Sequence, residues 1–228
     1  MKADYRNTAV VVPVYNSSEY LKELISRITK FFPKRNIFFI NDGSTDDSAE
    51  ICMKEKVIMI NLPQNEGKGA ALDVGFNVAR DAGFDFAFSI DSDLQHKPED
   101  FESFIKQQNR SEADVVIGAR EFKLGKMPFM RIMSNTLTTA VVSLFTGKRV
   151  KDSQSGFRLY NLEKFAGVAF QTKRYQFETE ILFKTAKRKG IFDFVKIDTI
   201  YTGQKSHISH LRDINNFIKI VLYEIFHR

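Results

Sequence analysis

The feature that most constrains this chain is a regular alternation through its first half. Short, almost wholly apolar runs alternate with longer segments whose apolar residues recur every three or four positions. The runs Thr8–Tyr15 (TAVVVPVY), Asn36–Asn41 (NIFFIN), Val57–Ile60, Phe84–Ile90 (FDFAFSI) and Asp114–Ile117 read as strands. They are too apolar to have one face in water. Between them, Ser17 or Ser18 caps a helix reaching about Phe32, with Leu21, Leu24, Ile25 and Ile28 on one face. Ser44 or Thr45 caps another through about Lys54. Gly67–Ala82 reads as a third, with Ala70, Ala71, Val74 and Val78 inward, and Pro98 stands where a fourth would begin. Buried strands alternating with helices predict an α/β fold with a mostly parallel central sheet and helices on both faces. Such sheets bind ligands beyond the carboxyl ends of their strands, so the polar residues that follow each run are the first place to look for chemistry.

The second half is less regular. A loop over 118–127 carries Arg120, Lys123 and Lys126, and a helix follows over 128–145. Residues 156–160 read as a strand, 176–189 as a helix, 191–200 as a strand, 203–210 as a loop and 211–226 as a last helix. No linker splits the 228 residues, so the expectation is one domain. Its nucleotide-binding half would be 1–118, its acceptor side 119–210, and its C-terminal amphipathic helix 211–228.

Composition narrows the classes. A single cysteine, Cys52, excludes a disulfide scaffold and a cysteine-based zinc site, and fits a cytoplasmic setting. The N-terminus has no signal-peptide core, and no stretch reaches the roughly 18 apolar residues of a transmembrane helix. A membrane contact, if any, is peripheral, on the cytoplasmic face. The helices at 128–145 and 211–226 carry apolar stripes that suit either an interface or a core. The net charge of +6 is mild and scattered, which argues against a nucleic-acid-binding module.

The strand ends hold the chemistry. Asp91 and Asp93, two apart after the fourth run, suit Mg²⁺ or Mn²⁺ carrying phosphate oxygens, although a bare D-x-D also ends strands as an ordinary turn. Asp42, in NDGSTDDS, could accept from a base or a ribose, or simply make an Asx turn. Tyr15 could stack on a base. Asn65-Glu66-Gly67-Lys68-Gly69 lacks the full phosphate-loop pattern and reads as a helix start. A nucleotidyltransferase would need a G-x-G-x-R loop where this chain has PVYNSS.

Taken in order, PVYN, NDGSTDDS, NEGKGAAL, DSDLQH, GAR, DSQSGFRLY and FETEIL resemble the family 2 glycosyltransferases of GT-A (Rossmann-like) fold. Within that family the dolichol-phosphate mannosyltransferase-like and polyprenyl-phosphate glycosyltransferase-like enzymes are the most similar. The resemblance implies an inverting, metal-dependent transfer of a hexose from a UDP- or GDP-sugar to polyprenyl phosphate. The alternative is the same donor with a saccharide or other hydroxyl acceptor. It implies that Pro13, Tyr15 and Asp42 hold base and ribose, with Lys68, Asp91 and Ser92 also on the donor side. Asp91, Asp93 and Gln95 would hold Mg²⁺ or Mn²⁺. Asp93, Arg120 and Asp152 would be catalytic, with Arg120, Arg131 and Ser134 at the acceptor phosphate. Glu178 and Glu180 match family carboxylates of either catalytic or structural role. His96 reads as a capping residue or a ligand, and Arg158 as a phosphate contact or scaffold. Leu94 and Asn41 depart from the family pattern without removing a metal ligand.

Overall fold

A computed structural model describes residues 1–121, 129–200 and 217–223. The first half follows the expected alternation. Strands β1 (Thr8–Val14), β2 (Ile37–Asn41), β3 (Ile58–Asn61) and β4 (Phe86–Ser89) are parallel and lie in the order β3-β2-β1-β4. Helices α1 (Ser18–Ile28), α2 (Ser48–Lys54) and α3 (Lys68–Asp81) connect them, and α4 (Phe101–Ser111) follows β4. Leu21, Leu24, Ile25 and Ile28 are the buried face of α1, as their spacing predicts. That helix ends at Ile28 rather than Phe32. Pro33 forces the preceding backbone toward extended geometry, and Thr29 Oγ1 donates to the Ile25 carbonyl at 2.8 Å. Phe32 still reaches the core, edge-on to Phe88 and Phe101.

The second half alters the sheet. Strand β5 is Val115–Arg120, α5 is Phe129–Thr146, β6 is Arg158–Asn161, α6 is Phe177–Lys187 and β7 is Phe192–Ile197. The full order is β3-β2-β1-β4-β6-β5-β7. Strand β6 inserts antiparallel between β4 and β5, and β7 adds parallel to β5. The expected end of the fifth strand at Ile117 is corrected: pairing with β7 carries β5 on to Arg120. Residues 217–223 are helical; the remainder of the expected 211–226 helix, the 203–210 loop, Lys123 and Lys126 lie outside the described residues. One apolar cluster fills the face under α1 and α4, around Phe32, Phe88, Phe101, Phe104 and Phe157. A second fills the face under α3 and α6, around Phe76, Tyr160, Phe177 and Ile181. The carboxyl ends of β1, β2, β4 and β5 therefore open along one edge, where ligands bind in sheets of this kind.

Candidate active site

The loops after β1 and β2 are tied to each other. Asn16 turns the chain with φ 49°. Its N–H donates to Ser44 Oγ at 3.0 Å and its Oδ1 accepts from the Thr45 N–H at 2.8 Å. Asp46 accepts from the N–H groups of Ser18 and Ser48, at 2.9 and 3.0 Å. Ser44 and Thr45 are thus committed to the neighbouring loop, and the residue before α2 is Asp47, not the expected Ser44 or Thr45. Pro13 is buried within β1, and Tyr15 stands beyond the strand, 41% exposed.

Asp42 follows β2 and is buried. Its two oxygens accept the N–H groups of Glu66 and Gly67 at 2.7 and 2.9 Å. Burial raises its pKa against the pull of those bonds. Its first task is therefore to hold the loop that opens α3. Gly67 sits there at φ 107°, and a Cβ would lie 2.5 Å from the Lys173 carbonyl, so only glycine fits. The strap before α6 crosses this point: the Ala70 N–H donates to Lys173 O at 3.0 Å, and Lys173 Nζ meets Glu66 at 2.7 Å. Glu180, fully buried, pins the strap by accepting from the Gln171 and Thr172 N–H groups, each at 2.8 Å. The strap's role was not readable from sequence; its contacts join segments about a hundred residues apart, and only the buried Glu180 in FETEIL hints at it.

Beyond β4, Asp91 and Asp93 stand as expected at the head of the crevice. Lys68, expected on the donor side, pairs with two carboxylates. Its ammonium lies 2.5 Å from Asp91 Oδ1 and 2.8 Å from Glu178 Oε1, between a half-buried and a buried carboxylate. Burial alone would lower the Lys68 pKa and raise that of Asp91, yet each partner's charge reverses the sign: Lys68 is held above its usual value and Asp91 below. Gly156 backs this contact, since a Cβ there would come within 2.6 Å of Lys68 Nζ and collide with Asp91. Asp93 behaves differently. Burial, and then the charge of Asp91, push its carboxyl up to about 6. Gln95 folds back on it, with its N–H 3.1 Å from Oδ1 and its Nε2 2.8 Å from Oδ2. Leu94 makes that reversal at φ 58°. Ser92 Oγ lies 2.8 Å from Ser17 Oγ, joining the β4 loop to the β1 loop. His96 is buried, packs on Phe157 at 5.7 Å, and is lowered to about 4 by burial, so it stays neutral near pH 7.

Arg120 ends β5 and is gripped by Asp152. Its Nε and Nη2 donate to the carboxylate at 2.6 and 3.0 Å, and its own N–H at 3.3 Å. Gln154 N–H adds a fourth bond at 3.0 Å, and Asp152 is fully buried. Both Asp152 oxygens are thereby engaged. Arg158, also fully buried, donates to the carbonyls of Ser153, Ser155 and Glu178 at 2.7–2.8 Å. That resolves its role as scaffold, bracing both the Asp152 loop and α6. Thr139 of α5 is 3.1 Å from Ser153 Oγ, which docks α5 beside the same loop. Ser134 is half-buried on α5; Arg131 belongs to that helix, and its side chain lies outside the described atoms.

The donor set suits a hard divalent cation. Asp91, Asp93 and Gln95 present carboxylate and amide oxygens within five residues of one loop, the hard donors that Mg²⁺ and Mn²⁺ take.

Residues 9–174 match glycosyl transferase family 2. The UDP-N-acetylglucosamine–dolichyl-phosphate N-acetylglucosaminyltransferase of Methanococcus voltae is 31% identical over 85% of this chain and 85% of its own length. The polyprenol monophosphomannose synthase of Mycolicibacterium smegmatis is 25% identical over 92% of this chain and 83% of its own. Glucosyl-3-phosphoglycerate synthase of Mycobacterium tuberculosis, crystallised with Mn²⁺, UDP and glucosyl-3-phosphoglycerate, shares the fold with a TM-score of 0.73. It is 17% identical, over 97% of this chain and 79% of that one. The parallel strands opening on one edge, the paired aspartates after β4 and the family match together make this chain a glycosyltransferase of family 2, with the GT-A fold.

Proposed function

We propose that the enzyme transfers a hexose from a UDP- or GDP-sugar to polyprenyl phosphate, with inversion at the anomeric carbon. The observation that carries this reading is the state of Asp152. Its carboxylate receives four hydrogen bonds, two of them from the Arg120 side chain. With both oxygens taken up by these four bonds, the carboxylate has no lone pair left to aim at an acceptor hydroxyl. Glu178, the next carboxylate, is bound to Lys68. The site thus offers no free base among these residues, and an acceptor already ionised near pH 7 needs none. A phosphate monoester is such an acceptor; a saccharide hydroxyl is not. The names of the Methanococcus and Mycolicibacterium relatives support the same acceptor class.

In this reading the 1–118 half binds the donor and the 119–210 part receives the acceptor. Tyr15 covers the base, with Pro13 and the Asp42-held loop beside it. Asp91, Asp93 and Gln95 hold Mg²⁺ or Mn²⁺, with Ser92 on the donor side. The cation supplies neutralisation of the diphosphate leaving group. Arg120, oriented by Asp152, adds a fixed positive charge at the phosphates. Arg131 and Ser134, on α5, meet the acceptor phosphate. An acceptor phosphate oxygen attacks the anomeric carbon as its bond to the diphosphate oxygen breaks, and no proton moves.

The outward face of α5 supports a lipid acceptor. Met133, Leu137 and Leu144 are 50, 66 and 77% exposed, whereas Val142 on the opposite side is fully buried. In the helical segment 217–223, Ile218 and Leu222 are 49 and 46% exposed. Among the described residues no helix is long and apolar enough to cross a membrane. These exposed faces fit peripheral contact on the cytoplasmic side, next to an anchored substrate.

The test is a panel of UDP- and GDP-sugars assayed with Mg²⁺ or Mn²⁺ against a short polyprenyl phosphate, the matching polyprenol and simple saccharides. Nucleotide diphosphate released only with the phosphate is expected. Turnover with an alcohol or saccharide as efficient as with the phosphate overturns the reading.

A further inference from the structure

Lys68 is given no part in the transfer just described, yet its ammonium joins two carboxylates of different elements. Its side chain is 17% exposed at the start of α3, between Asp91 and Glu178. Three features show a built arrangement. Glu178 is 4% exposed in its side chain and belongs to a different element, α6. Arg158 fixes that part of α6 by donating to the Glu178 carbonyl at 2.7 Å. Gly156 leaves room for the contact that any side chain there would fill.

We infer that Lys68 is a positioning residue that holds Asp91 by one oxygen and competes with the divalent cation for it, with Glu178 tempering that competition. The inference rests on the reading of Asp91, Asp93 and Gln95 as the cation's holders. Among the described residues no cluster of three or more His, Cys, Asp or Glu is arranged to take a metal. Asp91 and Asp93 with Glu178 nearby would still make a strongly negative pocket. The Lys68 ammonium offsets one of those charges and occupies Asp91 Oδ1. The resting site then attracts a bare cation weakly, and a cation that arrives with a diphosphate, bringing its own oxygens, fares better. Glu178 shares the ammonium, which keeps Lys68 from binding Asp91 as tightly as it otherwise would.

The two partners therefore shift cation affinity in opposite directions, which a general packing role would not do. Free Mn²⁺ is titrated against the protein and followed by the loss of the aqueous Mn²⁺ electron-spin-resonance signal, with thermal melting run on each variant. Lys68→Met is expected to tighten Mn²⁺ about tenfold, roughly what a unit charge a few ångströms from a divalent ion is worth at water-like dielectric. Glu178→Gln, which keeps the side-chain shape, is expected to weaken Mn²⁺ several-fold, because Lys68 then turns wholly to Asp91. Should Lys68→Met fail to fold, the sign of the Glu178→Gln shift decides alone. Unchanged affinity in folded variants, or weakening in both, overturns the assignment. Opposite shifts support it even if no sugar transfer is found, a result that removes the transferase reading alone. A wild-type protein that takes up no Mn²⁺, with or without UDP or GDP, removes both.

Discussion

Replacing Asp152 by Asn separates a base from a holder. The wild-type carboxylate is fully buried and receives Arg120 Nε and Nη2 at 2.6 and 3.0 Å, with Arg120 itself 11% exposed in its side chain. Asn keeps the shape but removes the charge and turns an N–H₂ toward the guanidinium. Breaking one side of a buried pair costs about 3–5 kcal/mol. In a domain of this size that lowers Tm by about 10 °C. A double-mutant cycle with Arg120→Met should show coupling of about 2 kcal/mol, since the two side chains share two hydrogen bonds. Activity should fall by about 10–100-fold as Arg120 loses its fixed direction at the phosphates. The shape of the pH–rate profile should not change, because the acid limb then belongs to the acceptor phosphate and not to Asp152. Assays of kcat/KM between pH 5 and 9, with melting curves, read all of this. A profile in which Asp152→Asn abolishes the acid limb would refute the reasoning and restore Asp152 as the proton acceptor, as would additive stability effects in the cycle.

Three further outcomes follow from the same geometry. Asp93 ionises near 3.9 when unfolded and at about 6 when folded, so the folded state binds the extra proton between these values and wild-type stability falls as pH rises from about 4 to 6. Asp93→Asn should therefore melt higher than wild type at pH 8 and lose that advantage by pH 4, while Mn²⁺ should raise the wild-type Tm at pH 8 and not that of the variant. Gly156→Ala drives a methyl into the Asp91–Lys68 contact, so a stability loss of about 1–3 kcal/mol and a drop in turnover of at least tenfold are expected in melting and rate assays. Leu137→Asp with Leu144→Asp alters only the outward face of α5; stability should stay within about 0.5 kcal/mol while sedimentation with anionic vesicles falls sharply.

What could be read in the sequence was local. The apolar runs, the faces of α1 and α3, and the polar residues closing β1, β2 and β4 follow from side-chain periodicity and turn chemistry, which act within a few residues. The sheet's second half depends on pairing at a distance. Nothing in GFRLY says that β6 will run antiparallel between β4 and β5, and nothing in GAR says that β7 will extend β5 to Arg120. Charge pairing has the same character. Lys68 read as the opening of a helix, and its partners lie on β4's loop and on α6, so only the fold reveals that the ammonium faces inward. The sequence points to Asp152 and Arg120 one by one, but the bond between them, which decides what either can do, joins residues 32 apart and is set by the fold. Arg131 matched the resemblance, and its side chain lies outside the described atoms.

The central claim is that sugar passes to an ionised phosphate oxygen without a base. It is tested most directly by the linkage in the product. With polyprenyl phosphate and the preferred sugar nucleotide, ³¹P and ¹H NMR should show a sugar phosphodiester whose anomeric configuration is opposite to that of the donor. A glycoside on a hydroxyl, or a phosphodiester that keeps the donor's configuration, would contradict it.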